Sequence, residues 1–203
     1  MDFVERVRPI AVELIGGRGH YERVVQMVLE ARQSVWIATA NLKELMVEDH
    51  RAAPGRRRTA RVGGRGARTY RSIIGVFAEL AARGVELRIL HAGIPSRAFR
   101  AALAKQPALR RGGLLLRACP RLHFKAVVVD GGFVYLGSAN WTGAGLGAKG
   151  AGRRNFELGF ASADDGLLDR VQEVYDRVWR GAECKGCKLR DKCPVPIDTM
   201  NTS

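Results

Sequence analysis

The order of apolar and polar positions divides the chain into alternating strand-like and helix-like stretches. Residues Ile10–Ile15 alternate and predict a strand that ends at Gly16-Gly17. From Tyr21 to Arg32, Val24, Val25, Val28 and Leu29 recur at helical spacing. Ser34–Ala40 is short, β-branched and aromatic, the pattern of a buried strand. A helix is expected from Thr69 to Arg83, closed by Gly84, with a strand over Val85–His91 after it. Ser96 is placed to cap a short helix running towards Lys105. Strands over Leu122–Val129 and Phe133–Gly137 are joined by Asp130-Gly131-Gly132, a good hairpin turn. A strand over Asn155–Phe160 precedes a last helix from Asp165 to Arg180. Strands and helices alternate, which predicts an α/β fold: an αβα sandwich with a mixed central sheet.

Two stretches break the pattern. Arg51–Arg68 has little to bury and many cations, so residues 49–69 are expected to be a basic, mobile insertion. Gly181 opens a cysteine-bearing tail, giving a catalytic domain over residues 1–180 and a metal-binding tail over 181–203.

At 203 residues the chain is long enough for one domain with a sizeable core. No stretch approaches the apolar length that spans a bilayer, and the start lacks a signal-peptide layout. A cytoplasmic protein without stable membrane insertion is expected. Lys and Arg number 34 against 20 Asp and Glu, a formal net charge of +14. That surplus favours polyanions: DNA, RNA or an anionic membrane surface.

The chemistry concentrates after residue 120. His123 and Lys125 are i, i+2; on a strand both side chains leave one face, about 7 Å apart. An imidazole beside an ammonium suits a phosphodiester, one attacking or moving protons, the other holding non-bridging oxygens. Ser138 and Asn140 repeat the spacing and offer neutral hydrogen-bond donors. Asn155 and Glu157 form a third pair, in which Glu157 could fix an imidazole tautomer. Asp130 has the opposite parity to His123, which assigns it a structural role at the turn.

The pattern HxKxxxxD, then six residues, then GSxN resembles the HKD signature of the phospholipase D superfamily. His123, Lys125, Asp130, Gly137, Ser138 and Asn140 match it without a gap, and Asn155 and Glu157 resemble the family's trailing NxE element. The family places two such motifs at one active site. This chain has one, and His20, His50 and His91 lack the lysine two residues on. The resemblance therefore implies the single-motif, dimeric branch, with a homodimer bringing two copies together about a two-fold axis. It implies a phosphohistidine intermediate: one His123 attacks phosphorus, and that of the partner subunit protonates the leaving oxygen and then deprotonates water. Lys125, Ser138 and Asn140 would hold the phosphoryl oxygens, and no divalent metal is required for catalysis.

The superfamily acts on both nucleic acids and phospholipids. Net charge, the arginines Arg56, Arg57, Arg58, Arg61, Arg65 and Arg68 of the insertion, and Arg153-Arg154 favour nucleic acid, DNA first. No amphipathic helix with an aromatic-rich apolar face favours a membrane. A phospholipid-cleaving enzyme and a dormant nucleic-acid-binding subunit are the alternatives; the intact His123, Lys125, Asn140 and Glu157 set speaks against dormancy. Trp141 fits a core position better than a base-stacking one.

Cys184, Cys187 and Cys193 form a C-x2-C-x5-C cluster, with Cys119 far upstream. Four thiolates satisfy either tetrahedral zinc or a [4Fe–4S] cluster. The arrangement resembles the iron–sulfur staple of certain DNA-processing nucleases of another fold, which implies a structural centre tying the C-terminus to the segment before His123. His20, His50 or His91 could replace Cys119 as fourth ligand.

Overall fold

The computed structural model describes residues 2–48, 70–193 and 195–201. The strands are β1 (Glu13–Gly16), β2 (Ser34–Thr39), β3 (Met46–Glu48), β4 (Tyr70–Ser72), β5 (Glu86–His91), β6 (Leu115–Ala118), β7 (Lys125–Val129), β8 (Phe133–Gly137) and β9 (Leu158–Ser162). The α-helices are α1 (Gln26–Leu29), α2 (Ile73–Ala82), α3 (Arg97–Ala104) and α4 (Asp165–Trp179). A wide π-type turn over His20–Val25 leads directly into α1.

Seven strands form one mixed sheet in the order β1-β9-β8-β7-β2-β5-β6. β2, β5 and β6 are parallel, while β7, β8, β9 and β1 continue antiparallel from β2. The apolar run Ala126–Val129 is explained by burial on both faces. Val127 and Val129 join the cluster under α1, α2 and α3, with Val35, Ile37, Ile89 and Phe77. Ala126 and Val128 join the opposite cluster with Leu168, Tyr175 and Trp179 of α4, and with Ile197. The sandwich expected from the sequence is the fold observed.

The boundaries differ in instructive ways. The expected helix from Thr69 starts at Ile73, because the Ser72 hydroxyl caps it by accepting from the Gly75 amide. Tyr70–Ser72 instead pairs with Met46–Glu48 in a two-stranded ribbon. That ribbon brackets the arginine-rich insertion, whose residues 49–69 lie outside the described residues. Ser96 caps α3 as its sequence predicts, accepting from the Phe99 amide at 3.2 Å. Strand β6 had no counterpart in the sequence pattern.

Candidate active site

The carboxyl ends of β2, β5 and β6, the start of β7, the end of β8 and the approach to β9 all lie at one end of the sheet. In open α/β sheets this is the end where ligands bind. Register fixes the centre: Lys125 is opposite Gly137, and Gly137 is opposite Gly159.

His123 and Lys125 are not both on a strand. β7 begins at Lys125, and His123 belongs to the extended segment before it. The consequence is a division of exposure: the His123 side is open to solvent, whereas Lys125 is only 9% exposed. The Lys125 ammonium donates to the His123 carbonyl at 2.7 Å, so the lysine holds the segment that presents the imidazole.

Glu157 also precedes its strand, since β9 begins at Leu158. Its carboxylate accepts from the Ser138 hydroxyl and, at 3.0 Å, from the Asn155 amide. The Ser138 oxygen in turn accepts from the Leu158 N–H at 3.1 Å. The sequence suggested Ser138 as a free donor and Glu157 as an imidazole's partner. Within one chain Ser138 instead gives its single proton to Glu157, and the two tie the end of β8 to the approach of β9.

Asn140 is half-buried, and its side-chain oxygen accepts from the Asn41 N–H at 3.0 Å and from the Thr39 hydroxyl at 3.3 Å. A backbone N–H can only donate, so this contact orients the amide and leaves its NH2 as the donor side. Trp141 is buried and stacks on Phe77 with ring centroids 6.1 Å apart, which places it in the core.

Asp130 lies just past the opposite end of β7, away from the site. Its carboxylate accepts from the amides of Arg32, Gln33 and Ser34, the last two at 2.7 and 2.9 Å. It therefore anchors the connection into β2 rather than its own turn. Burial raises its pKa, but the amides of Ser34, Gln33 and Arg32 outweigh this and hold it below the ordinary carboxylate value.

Sequence reasoning missed Tyr135 and Gly159. A Cβ at Gly137 would overlap the Tyr135 hydroxyl, and one at Gly159 would lie 2.6 Å from a Tyr135 ring carbon. Burial pushes the Tyr135 hydroxyl up to about 12, so it stays protonated beneath the site. The signal was available: glycines opposite each other on neighbouring strands mark a close approach.

On the β1–β9 side of the sheet several apolar side chains face solvent. Phe156, between Asn155 and Glu157, is fully exposed; Leu14 on β1 and Leu158 on β9 are 73% and 61% exposed. Arg153 is exposed and Arg154 half-buried, on a single turn leading to Asn155. Arg56, Arg57, Arg58, Arg61, Arg65 and Arg68 lie outside the described residues. All four cysteines line one cavity behind the His123 segment, and neither His20 nor His91 does. No described helix is long and apolar enough to cross a membrane.

The αβα sandwich thus sets His123, Lys125, Asn140 and Glu157 at one end of a mixed sheet. The cardiolipin synthase, PLD-like domain profile matches residues 64–179, more than half of the chain. The chain belongs to the phospholipase D superfamily. Nuc from Salmonella typhimurium, a phospholipase D family member, is similar over 85% of this chain and 95% of that one, with 19% identity and TM-score 0.53. NucT from Helicobacter pylori covers 83% and 95%, with 16% identity and TM-score 0.55. TrmBL2, an archaeal chromatin protein described with a novel mode of DNA binding, covers 83% and 52%, with 14% identity and TM-score 0.50. No curated protein sequence matches the chain significantly.

Proposed function

We propose that the protein is a nuclease: a phosphodiesterase acting on nucleic acid through a phosphohistidine, with the active site shared by two copies of the chain. The observation that carries this reading is a single, gapless His123–Lys125–Asn140 set at one end of the sheet, with His123 exposed and with Phe156, Leu14 and Leu158 exposed on or beside β1 and β9. One motif supplies only one imidazole, and the reaction needs a nucleophile and an acid. An isologous contact through the exposed apolar strip would bring the second.

In the first step His123 attacks phosphorus, forming a P–N bond as the P–O bond to the leaving alcohol breaks. The imidazolium of His123 of the partner subunit gives that alcohol its proton. In the second step the same imidazole takes a proton from water as the water oxygen displaces His123 and releases a phosphate monoester. Lys125 and the Asn140 amide stabilise the charge on the non-bridging oxygens. Ser138 and Glu157 are positioning residues.

Nucleic acid is favoured over phospholipid by the net charge of +14 and by Arg153 beside the site. Similarity in fold to Nuc, NucT and a DNA-binding chromatin protein supports the same reading. The test is incubation of purified protein with labelled single- and double-stranded DNA, RNA and cardiolipin, with EDTA present. Cleavage of a nucleic acid is expected; cleavage of cardiolipin alone would transfer the enzyme to the lipid branch. Binding without turnover on any of them would leave a nucleic-acid-binding subunit.

A further inference from the structure

Behind the segment that carries His123 lies a cavity of about 190 Å³ with an unusual lining: all four cysteines of the chain. Cys119 arrives from one side, just after β6. Its N–H donates to the His91 carbonyl at 2.8 Å, and its own carbonyl accepts from the Leu122 amide at 2.9 Å. Cys184, Cys187 and Cys193 arrive from the other side, on consecutive tight turns. Cys187 donates to the Cys184 carbonyl, Arg190 to the Cys187 carbonyl, and Cys193 to the Arg190 carbonyl, at 3.0–3.2 Å. Gly186 makes the first turn possible with φ +76°, a conformation that costs other residues energy.

The segment bearing them is docked. Ile197 is buried against the sheet, Arg190 pairs with Asp198 at 2.7 Å, and Gly181 lies so close to Asp198 that a Cβ would be 2.5 Å from its amide nitrogen. Leu122 and Phe124 line the cavity while His123 between them does not, as alternation along an extended segment requires. The remaining wall is largely apolar, with Val178, Leu189 and Ile197.

We propose that Cys119, Cys184, Cys187 and Cys193 form a four-thiolate metal centre that clamps the C-terminal segment to the back of the His123 segment. All four thiols are free and half-buried, and thiolates gathered from distant parts of a chain are ligands for zinc or an iron–sulfur cluster. Guanidinium groups stand ready to offset their charge. Arg121 and Arg190 line the same cavity, and Arg190 reaches the Cys184 carbonyl at 3.4 Å. Among the described residues no three His, Cys, Asp or Glu side chains are already grouped to hold one ion. A single zinc would draw the sulfurs to about 3.8 Å from one another, given Zn–S bonds of about 2.3 Å. An iron–sulfur cluster would place its iron atoms between the ligands and span a wider set of sulfurs. Either way the thiols turn inward on binding and release their protons.

Metal content decides the matter without any substrate, so the test is independent of the proposed nuclease activity. The full chain, purified anaerobically, is expected to hold iron with acid-labile sulfide and visible absorbance, or else one colourless zinc per chain. Cys119→Ser, and separately Cys187→Ser, should lose that metal. Should these variants fail to fold, wild-type protein treated with a chelator supplies the second readout. Tryptic cleavage at Lys185, Lys188 and Lys192 should then accelerate by about tenfold as the clamp opens. Protein without bound metal, both as purified and after anaerobic reconstitution with zinc or with iron and sulfide, would overturn the proposal. So would disulfides among the four, or a tail equally resistant to trypsin with and without metal.

Discussion

The Lys125 ammonium is 2.7 Å from the His123 carbonyl oxygen, so the two motif residues are joined through the backbone as well as through a common substrate. His123→Ala should abolish turnover while leaving the fold intact, because His123 is exposed. Residual activity within about tenfold of wild type, about 1.4 kcal/mol of barrier, would exclude a covalent role. Lys125→Ala should lose turnover and also lower the melting temperature by a few degrees, since a buried donor and its carbonyl partner are separated.

Ser138 and Glu157 share a proton-donating contact that joins β8 to β9. Glu157→Gln replaces one acceptor oxygen by a donor. It should reduce kcat by about 10- to 100-fold, with KM for an oligonucleotide little changed. A pure KM effect would move Glu157 from positioning to substrate binding.

Gly137→Ala tests the close approach of Tyr135 to the site floor. The added methyl meets the Tyr135 hydroxyl and the backbone of β9. Overpacking of this kind costs about 1–3 kcal/mol, a loss of about 3–10 °C in melting temperature. Wild-type stability would mean that Tyr135 swings away freely.

Asp130 supplies the pH prediction. Its pKa is depressed in the folded protein, so its contribution to stability is present above the unfolded value of about 3.9. That contribution is lost as pH falls through the folded value. Asp130→Ala should lower stability by about 2 kcal/mol at neutral pH, leaving three amides without their acceptor. The difference from wild type should shrink on acidification below about pH 4. A gap that stays constant down to pH 2 would remove Asp130 from the linkage.

The gathering of the motif residues at one end of the sheet was legible in the sequence because motif spacing survives small errors in strand boundaries. Asp130 is the clearest case: it is expected to be structural and away from His123, and it follows the far end of β7, where it binds the connection into β2. What could not be read were pairings between short, distant segments. Met46–Glu48 and Tyr70–Ser72 have three residues each, too few for periodicity, and they meet across the arginine-rich insertion. β6 follows two glycines and two arginines that mask its start. The Ser138–Glu157 contact was illegible for another reason. Both residues lie just outside the regular strands, where alternation no longer says which way a side chain points.

The last prediction concerns the exposed strip. Leu14→Asp together with Leu158→Asp should leave the melting temperature within about 2 °C of wild type, as surface changes do. The double variant should sediment as a monomer and lose activity at low concentration. An active monomer would end the shared-site reading, and a persistent dimer would move the interface elsewhere.

Because each chain carries one His123 on an open face, dosage becomes a control on the proposed reaction. Below the dissociation constant of the pair, the rate should rise with the square of protein concentration, so a cell holding few copies would be nearly silent. Inactive copies would also poison active ones. A chain altered at His123 but intact at Leu14, Phe156 and Leu158 would sequester a wild-type partner in a pair that cannot complete the two-step transfer. For the proposed nuclease, expression level would then serve as a safety catch.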